Sequence, residues 1–422
     1  EAAWEAMRLG DLRLGEVLGL RWADLHWERR ELKITHTVQT VGNRTVFGEP
    51  KTKKSRRTLP LSNEIIAALR SGTVPRRGIE LLAVGLSRYE RAIDEELERV
   101  TLGQGVFKAV RGDYGTGKTF FSRFVQHRAL GLGLAVAEVQ ISERETPLYR
   151  METLYRRALE NLRTKQFEQG AFRALVDRWF YSLEEEVLAR PGFPQDDPAV
   201  ITTAVGDLLE QRLALVSATQ PLFAAALRGC HRARLAGEID VEEGLLAWLM
   251  GQPNVAAQVK RVAGVKGEVD HGMAAGFLRG LLVLLGQTGR KGLLLVLDEV
   301  ETIQRVRGDL RERSLNALRQ WLDDVGSGVY PGLYVMVTGT PAFFDGPQGV
   351  QRLAPLAQRL HVDFGTDRRF DNPRAVQIRL APFDHTALLA VGRRVRDIYV
   401  EGRPHEQRLR SVVDDSYLDT LA

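Results

Sequence analysis

Residues 105–121 read "GVFKAVRGDYGTGKTFF": a short apolar run, a glycine-rich turn and an amphipathic run, end to end. Gly112, four residues, Gly117, Lys118 and Thr119 fit the pattern G-x-x-x-x-G-K-[ST], in which backbone N–H groups cradle phosphate. Glycine at 112, 115 and 117 lets the chain wrap closely enough for those groups to point inward. The candidate cradle is Gly112, Asp113, Tyr114, Gly115, Thr116 and Gly117, continued by Lys118, Thr119 and Phe120 at the start of the next helix. Lys118 suits the β- and γ-phosphates of ATP, and the Thr119 hydroxyl suits Mg²⁺. The helix "TFFSRFVQHRAL" turns its positive dipole end to the same anion. It is expected to bury Phe120, Phe121, Phe124 and Val125 under a sheet. The alternative is chance occurrence in a chain with 40 glycines, against which the strand–loop–helix context speaks.

A second motif lies 180 residues on. "KGLLLVLDEVE" (291–301) is an apolar run, Leu293 to Leu297, closed by Asp298 and Glu299. Such a run predicts a parallel strand buried on both faces, and two carboxylates at its tip are costly without a cation. Asp298 is the candidate Mg²⁺ residue and Glu299 the candidate base for an attacking water. "PGLYVMVTGTPAFF" (331–344) predicts another buried strand, ending in Thr338, a candidate for the γ-phosphate and the water; a satisfied strand-end threonine is the other reading. Arg352 and Arg359 follow, before a last strand "VQIRLAPF" (376–383). Arg359 is the preferred candidate for reaching a neighbouring subunit's phosphate, against the reading as a surface arginine.

The fold class expected is α/β, with a parallel five-stranded sheet that includes "LAVAEVQI" (134–141). Residues 142–292 are rich in helical spacing and predict a large helical insertion, as extra core or as a partner-binding surface. "PGFPQDDP" (191–198) breaks it.

The whole chain of 422 residues carries a net charge of +5, so gross charge does not argue for a nucleic-acid-coating protein. Residues 1–64 hold 12 Lys/Arg against 9 Asp/Glu, so 12 − 9 = +3 of that charge lies there. One cysteine, Cys230, excludes an internal disulfide and fits a cytoplasmic protein. Cys230, His231 and His271 read as structural. The longest apolar region, 276–297, is interrupted by Arg279, Gln287, Arg290 and Lys291, so no membrane span is expected. The chain opens at Glu1 without methionine and stops within helical spacing, which predicts truncation at both ends.

"DLRLGEVLGLRWADL" (11–25), the strand-like "ELKITHTVQTV" (31–41) and the basic hairpin "GEPKTKKSRRTLPL" (48–61) resemble the opening of the tyrosine recombinase (phage integrase) catalytic domain. The resemblance implies that Arg13 grips a DNA phosphate, supported by Glu16, and that Lys51 protonates the leaving oxygen. His231/Arg234 and His405/Arg408 are literal His-x-x-Arg pairs in unrelated surroundings, and no tyrosine nucleophile follows either at suitable spacing. Recombinase activity is not expected. The stretch is expected to be a vestigial fragment, with DNA-phosphate contact through Lys51, Lys53, Lys54, Arg56 and Arg57 as its remaining capacity.

From residue 65 on, the order of motifs resembles the AAA+ ATPases of the replication-initiator branch. It is most similar to the BREX phage-defence ATP-binding proteins of the BrxD type. The strings that carry this are "GTVPRRGIELLAVG", "VRGDYGTGKTFF", "AEVQISERETPLYRMETLYRRAL", "LLLVLDEVETIQRVR" and "TGTPAFFDGPQGVQRLAPLAQRL". The resemblance implies an AAA+ P-loop ATPase core over 65–380 and the start of a helical lid over 381–422, preceded by the α+β fragment 1–64. It implies ATP and Mg²⁺ as cofactors. Expected partners are other BREX defence proteins, with DNA and a second copy of the chain as candidates. The function expected is ATP binding and hydrolysis that controls assembly with DNA or defence partners. The alternatives are a nucleotide-gated interaction module with little hydrolysis, and a DNA-binding protein using the integrase-like fragment.

Overall fold

The computed structural model describes residues 83–421 other than 195, 368, 369 and 401–405, together with residue 79 and five short strand segments in the first sixty residues. The chain divides into two compact units, Glu1–Ile79 and Glu80–Ala422.

In the first unit, β1 (Leu25–His26) pairs antiparallel with β2 (Glu31–Lys33), which pairs antiparallel with β5 (Thr58–Pro60). β3 (Thr37–Val41) and β4 (Arg44–Gly48) form a separate antiparallel pair, with Val41 opposite Arg44. The single strand expected over 31–41 is therefore two strands in two different sheets. Arg13, Glu16 and the basic residues Lys51, Lys53, Lys54, Arg56 and Arg57 lie outside the described residues.

The second unit is built on β6 (Val106–Arg111), β7 (Ala135–Gln140), β8 (Leu293–Asp298), β9 (Leu333–Gly339) and β10 (Gln377–Arg379). They lie in the order β10-β6-β9-β8-β7, every neighbouring pair parallel. The α/β class and the five-stranded parallel sheet expected from the motifs are thus present. Every residue of β8 and β9 is buried, as continuous apolar runs flanked by strands on both sides require. The chain leaves β6 toward β7 on one side of the sheet, whereas β10 lies on the other. The crevice beyond the carboxyl ends at such a reversal is where open α/β sheets receive ligands.

Helices cover both faces. α1 (Ser87–Thr101) buries Tyr89, Ala92, Ile93, Glu96, Leu97 and Val100, an i, i+3, i+4 stripe. α2 (Lys118–Gly131) lies against β7, β8 and β9 and buries Phe121, Phe124 and Val125; Phe120, included in the expected stripe, is only half-buried. Removing the Phe121 ring would cost about 3–5 kcal/mol. Between β7 and β8 come α3 (Met151–Glu160), α4 (Ala171–Leu188), α5 (Pro198–Thr219), α6 (Pro221–Ala236), α7 (Ile239–Leu249), α8 (Ala257–Val262) and α9 (His271–Gln287). Phe277 of α9 meets Tyr155 of α3, Phe223 of α6 and Trp248 of α7 edge-on, with ring centroids 5.2–6.1 Å apart. The interior of these helices is continuous with the core on the sheet.

Cys230 is buried there, and burial pushes its thiol up to about 12, so it is an inert core residue. His231 is buried against Phe180, whereas the mostly exposed His271 accepts a hydrogen bond from the Met151 amide at 3.4 Å. After β8 come α10 (Gly308–Gly326), α11 (Pro341–Asp345) and α12 (Ala354–Leu360), and after β10 α13 (His385–Val400), α14 (Glu406–Val412) and α15 (Asp415–Leu421). Among the described residues no helix is long and apolar enough to cross a membrane.

Candidate nucleotide site

The turn after β6 starts at Gly112, whose amide is fixed to Gly339 O of β9 at 3.1 Å. Gly115 and Gly117 have φ of +81° and +86°, where an L side chain would be strained. A Cβ on Gly112 would come within 2.3 Å of Thr116 Oγ1, which donates to Asp113 O at 2.8 Å. The loop is thereby wound tightly.

Lys118, the first residue of α2, is 8% exposed. Its Nζ donates to Gly112 O at 2.8 Å and to Asp113 O at 3.2 Å, and lies 5.1 Å from the Tyr114 ring centre. An ammonium has three donors, so one remains. Among the described residues no carboxylate lies within 4 Å of it. A buried cation so placed calls for an anion. The start of α2 calls for the same: its cap residue, Gly117, has no side chain, and its first turn has no acid. The amides of Lys118, Thr119 and Phe120 precede the first helical hydrogen bond, Phe121 N to Gly117 O, and are left for a ligand.

Facing this positive end is the tip of β8. Parallel registers pair Val110 with Thr338 across β6/β9 and Leu297 with Val337 across β9/β8. Asp298 therefore stands level with the end of β6, two strand spacings or ~10 Å across. Asp298 is 6% exposed. Its Oδ1 accepts the Thr338 hydroxyl and the Glu299 amide, the latter at 3.1 Å, and its other oxygen takes no hydrogen bond from the described residues. Burial pushes its carboxyl above the usual range, opposed by the Thr338 hydroxyl and reinforced by the charges of Glu138 and Glu299. A desolvated carboxylate of this kind gains most from a cation.

Thr338 is fully buried and commits its one O–H to Asp298 while its oxygen accepts from the Glu299 amide at 3.2 Å. It therefore orients Asp298 in this structure rather than presenting a donor outward. Glu299 sits at φ 58°, ψ 43°, one of two non-glycine residues with positive φ among those described. Such a backbone costs about 1–3 kcal/mol and is held by its surroundings. Its Oε2 accepts from Gln140 Nε2, at the end of β7, at 2.9 Å. Gln140 is a contact to a candidate residue that sequence reasoning did not single out; the signal was a lone amide closing an apolar strand.

The structure thus brings the glycine-rich turn, Lys118, Asp298, Glu299 and Thr338 to one end of one sheet. It does not bring Arg359 there: on α12, Arg359 Nε pairs with Asp323 Oδ1 of α10 at 2.5 Å and Nη1 donates to Pro355 O at 3.1 Å. Arg352 is exposed on the same connection. The donor set fits a phosphate with a hydrated hard cation, because every candidate metal residue offers oxygen.

Residues 60–422 match the family profile described as "BREX system ATP-binding protein BrxC/D". The chain belongs to this BREX ATP-binding family. Its profile spans both BrxC and BrxD, so the match carries the ATP-binding role and BREX membership without choosing between them. A tyrosine recombinase XerC-like protein of Caldanaerobacter subterraneus subsp. tengcongensis is 40% identical over 68 residues, 14% of this chain and 17% of that protein. The chain spans under a fifth of that relative's length.

Proposed function

We propose that this BREX family member binds ATP with Mg²⁺ in the crevice between the glycine-rich turn and Asp298, hydrolyses it, and uses the nucleotide state to control assembly with other BREX components. The observation that carries this is the buried ammonium of Lys118 and the buried carboxylate of Asp298 at the same end of the sheet, neither paired with an opposite charge within 4 Å among the described residues. Each is costly alone, and an Mg²⁺-bound polyphosphate compensates both.

In this reading Gly112 to Gly117 form the cradle, and Lys118 with the amides of Lys118, Thr119 and Phe120 holds the β- and γ-phosphates. The Thr119 hydroxyl and Asp298 hold Mg²⁺, which would neutralise charge developing on the phosphate oxygens. Thr338 keeps Asp298 aimed. Glu299 takes the proton of the attacking water once Gln140 releases its carboxylate. Arg359, freed from Asp323, reaches the phosphate bound by a second copy of the chain. We assign the chain to the BrxD type on the strings around its two motifs. DNA contact, if made, falls to the basic residues of the first unit.

Steady-state phosphate release tests hydrolysis. Glu299→Gln should lower it by about 10²–10⁴-fold with Mg²⁺–ATP affinity retained; equal turnover by the variant and the parent would sink the proposal. A second reading, a nucleotide-gated module with little hydrolysis, is favoured by the Gln140–Glu299 hydrogen bond. It predicts near-zero release by the parent protein with tight nucleotide binding.

A further inference from the structure

Glu301 lies one turn beyond the acidic pair, on the 3₁₀ turn Val300–Arg305. It is 5% exposed, and neither carboxylate oxygen has a hydrogen-bond partner among the described residues. Its neighbours on the turn account for themselves. Val300 and Ile303 are buried apolar residues, Val300 against Gly339, and Thr302 donates to Ile141 O at 3.2 Å and Glu299 O at 3.0 Å. Arg311, beside the far end of the turn, gives Nη2 to Gln304 O and Val306 O and Nη1 to Gln348, while its buried Nε has no partner among the described residues and forms no hydrogen bond with Glu301.

A buried carboxylate that makes no hydrogen bond and no ion pair among the described residues is costly to hold in a core, and an aliphatic side chain of similar size would remove the cost. A packing role therefore does not account for it. Its electrostatic surroundings point to the nucleotide site. Burial raises its carboxyl above the ordinary range; its own amide and the charge of Lys118 pull it back, while Glu299 and Asp298 push further. The group thus senses Lys118, Asp298 and Glu299 together.

We propose that Glu301 is a second cation-side carboxylate of this site, accepting hydrogen bonds from water held on the divalent ion that accompanies the nucleotide's phosphates. The inference rests on the nucleotide-binding reading above. Contact through water follows from two facts. Among the described residues no group of three or more His, Cys, Asp or Glu is arranged to hold a metal by itself. Mg²⁺ keeps several waters and is held by one or two carboxylates together with phosphate oxygens. Glu301 is then a positioning residue: it fixes the ion's water shell, as outer partners of metal sites do.

The test is calorimetric titration of a non-hydrolysable ATP analogue into the full chain over a range of Mg²⁺ concentrations and in EDTA, with melting curves of the nucleotide-free protein. Glu301→Gln and Glu301→Leu should bind the analogue in EDTA as the parent does. They should require on the order of tenfold more Mg²⁺ for half-maximal enhancement and melt at a higher temperature than the parent. An unchanged Mg²⁺ requirement in variants that fold overturns the proposal. So does a lowered melting temperature with binding weakened equally in EDTA and Mg²⁺, the signature of a packing residue. A folded parent that binds no analogue overturns the nucleotide reading itself, and this inference with it.

Discussion

Gln140 and Glu299, 159 residues apart in the chain, meet at the tips of β7 and β8, where the amide donates to the carboxylate at 2.9 Å. The bond occupies Oε2, one of the two oxygens that a catalytic base could use. It is exposed and neutral on one side, so it is worth roughly 1 kcal/mol. Gln140→Ala should raise basal phosphate release by up to about fivefold with ATP affinity unchanged, measured by steady-state release and calorimetry. A rate at or below that of the parent would show that Gln140 supports Glu299 rather than restraining it.

Thr338 offers a second test. Its hydroxyl is one of two donors to Asp298 Oδ1. Thr338→Val keeps the shape and removes the donor, so it should destabilise the fold by about 1–3 kcal/mol; Thr338→Ser should restore most of this. Chemical denaturation measures it, and equal stability of all three forms would separate Thr338 from Asp298.

Arg359 is held in its own chain by Asp323 at 2.5 Å. An arginine acting on a neighbour's phosphate must leave that pair. Arg359→Ala should leave ATP binding intact and lower turnover by about 10³-fold or more, while Asp323→Asn should leave turnover at or above the parental rate. If Arg359→Ala hydrolyses ATP normally, the residue is a surface arginine.

A fourth test concerns the buried ion pair between β6 and α1. Lys108 of β6 is 1% exposed; its Nζ lies 2.5 Å from Glu96 Oε1 of α1 and 2.6 Å from Ala375 O, while Tyr334 OH donates to Glu96 Oε2 at 2.6 Å. Lys108→Met strands the Glu96 charge and should cost about 3–5 kcal/mol; adding Glu96→Gln should recover part of it. Denaturation of the two single variants and the double variant measures the coupling, and additive losses would mean the pair is not coupled.

The sheet strands were legible because unbroken apolar runs such as Leu293–Leu297 and Leu333–Val337 fit little else, and the two motifs marked the strand ends where the candidate residues stand. Lys108 was not legible as a buried ion pair, because its partners Glu96, Pro373 and Ala375 come from distant segments. Gln140 and Glu301 were hidden for a related reason. Each is a single polar residue whose meaning depends on what another strand tip brings beside it. The last strand covers Gln377–Arg379, the three residues of "VQIRLAPF" paired in register with Ala109–Arg111 of β6. The sequence offers Thr338 either as a group for phosphate or as a satisfied strand-end threonine; in the structure its hydroxyl goes to Asp298 on the neighbouring strand, a relation no local pattern encodes.

The central claim is that Lys118 supplies the positive charge for a bound polyphosphate. Calorimetric titration of Mg²⁺–ATP into the parent, Glu299→Gln and Lys118→Ala proteins tests it most directly. Parental affinity in the glutamine variant and a loss of about 10- to 100-fold in the alanine variant are expected. Parental affinity in a folded Lys118→Ala protein would contradict the account.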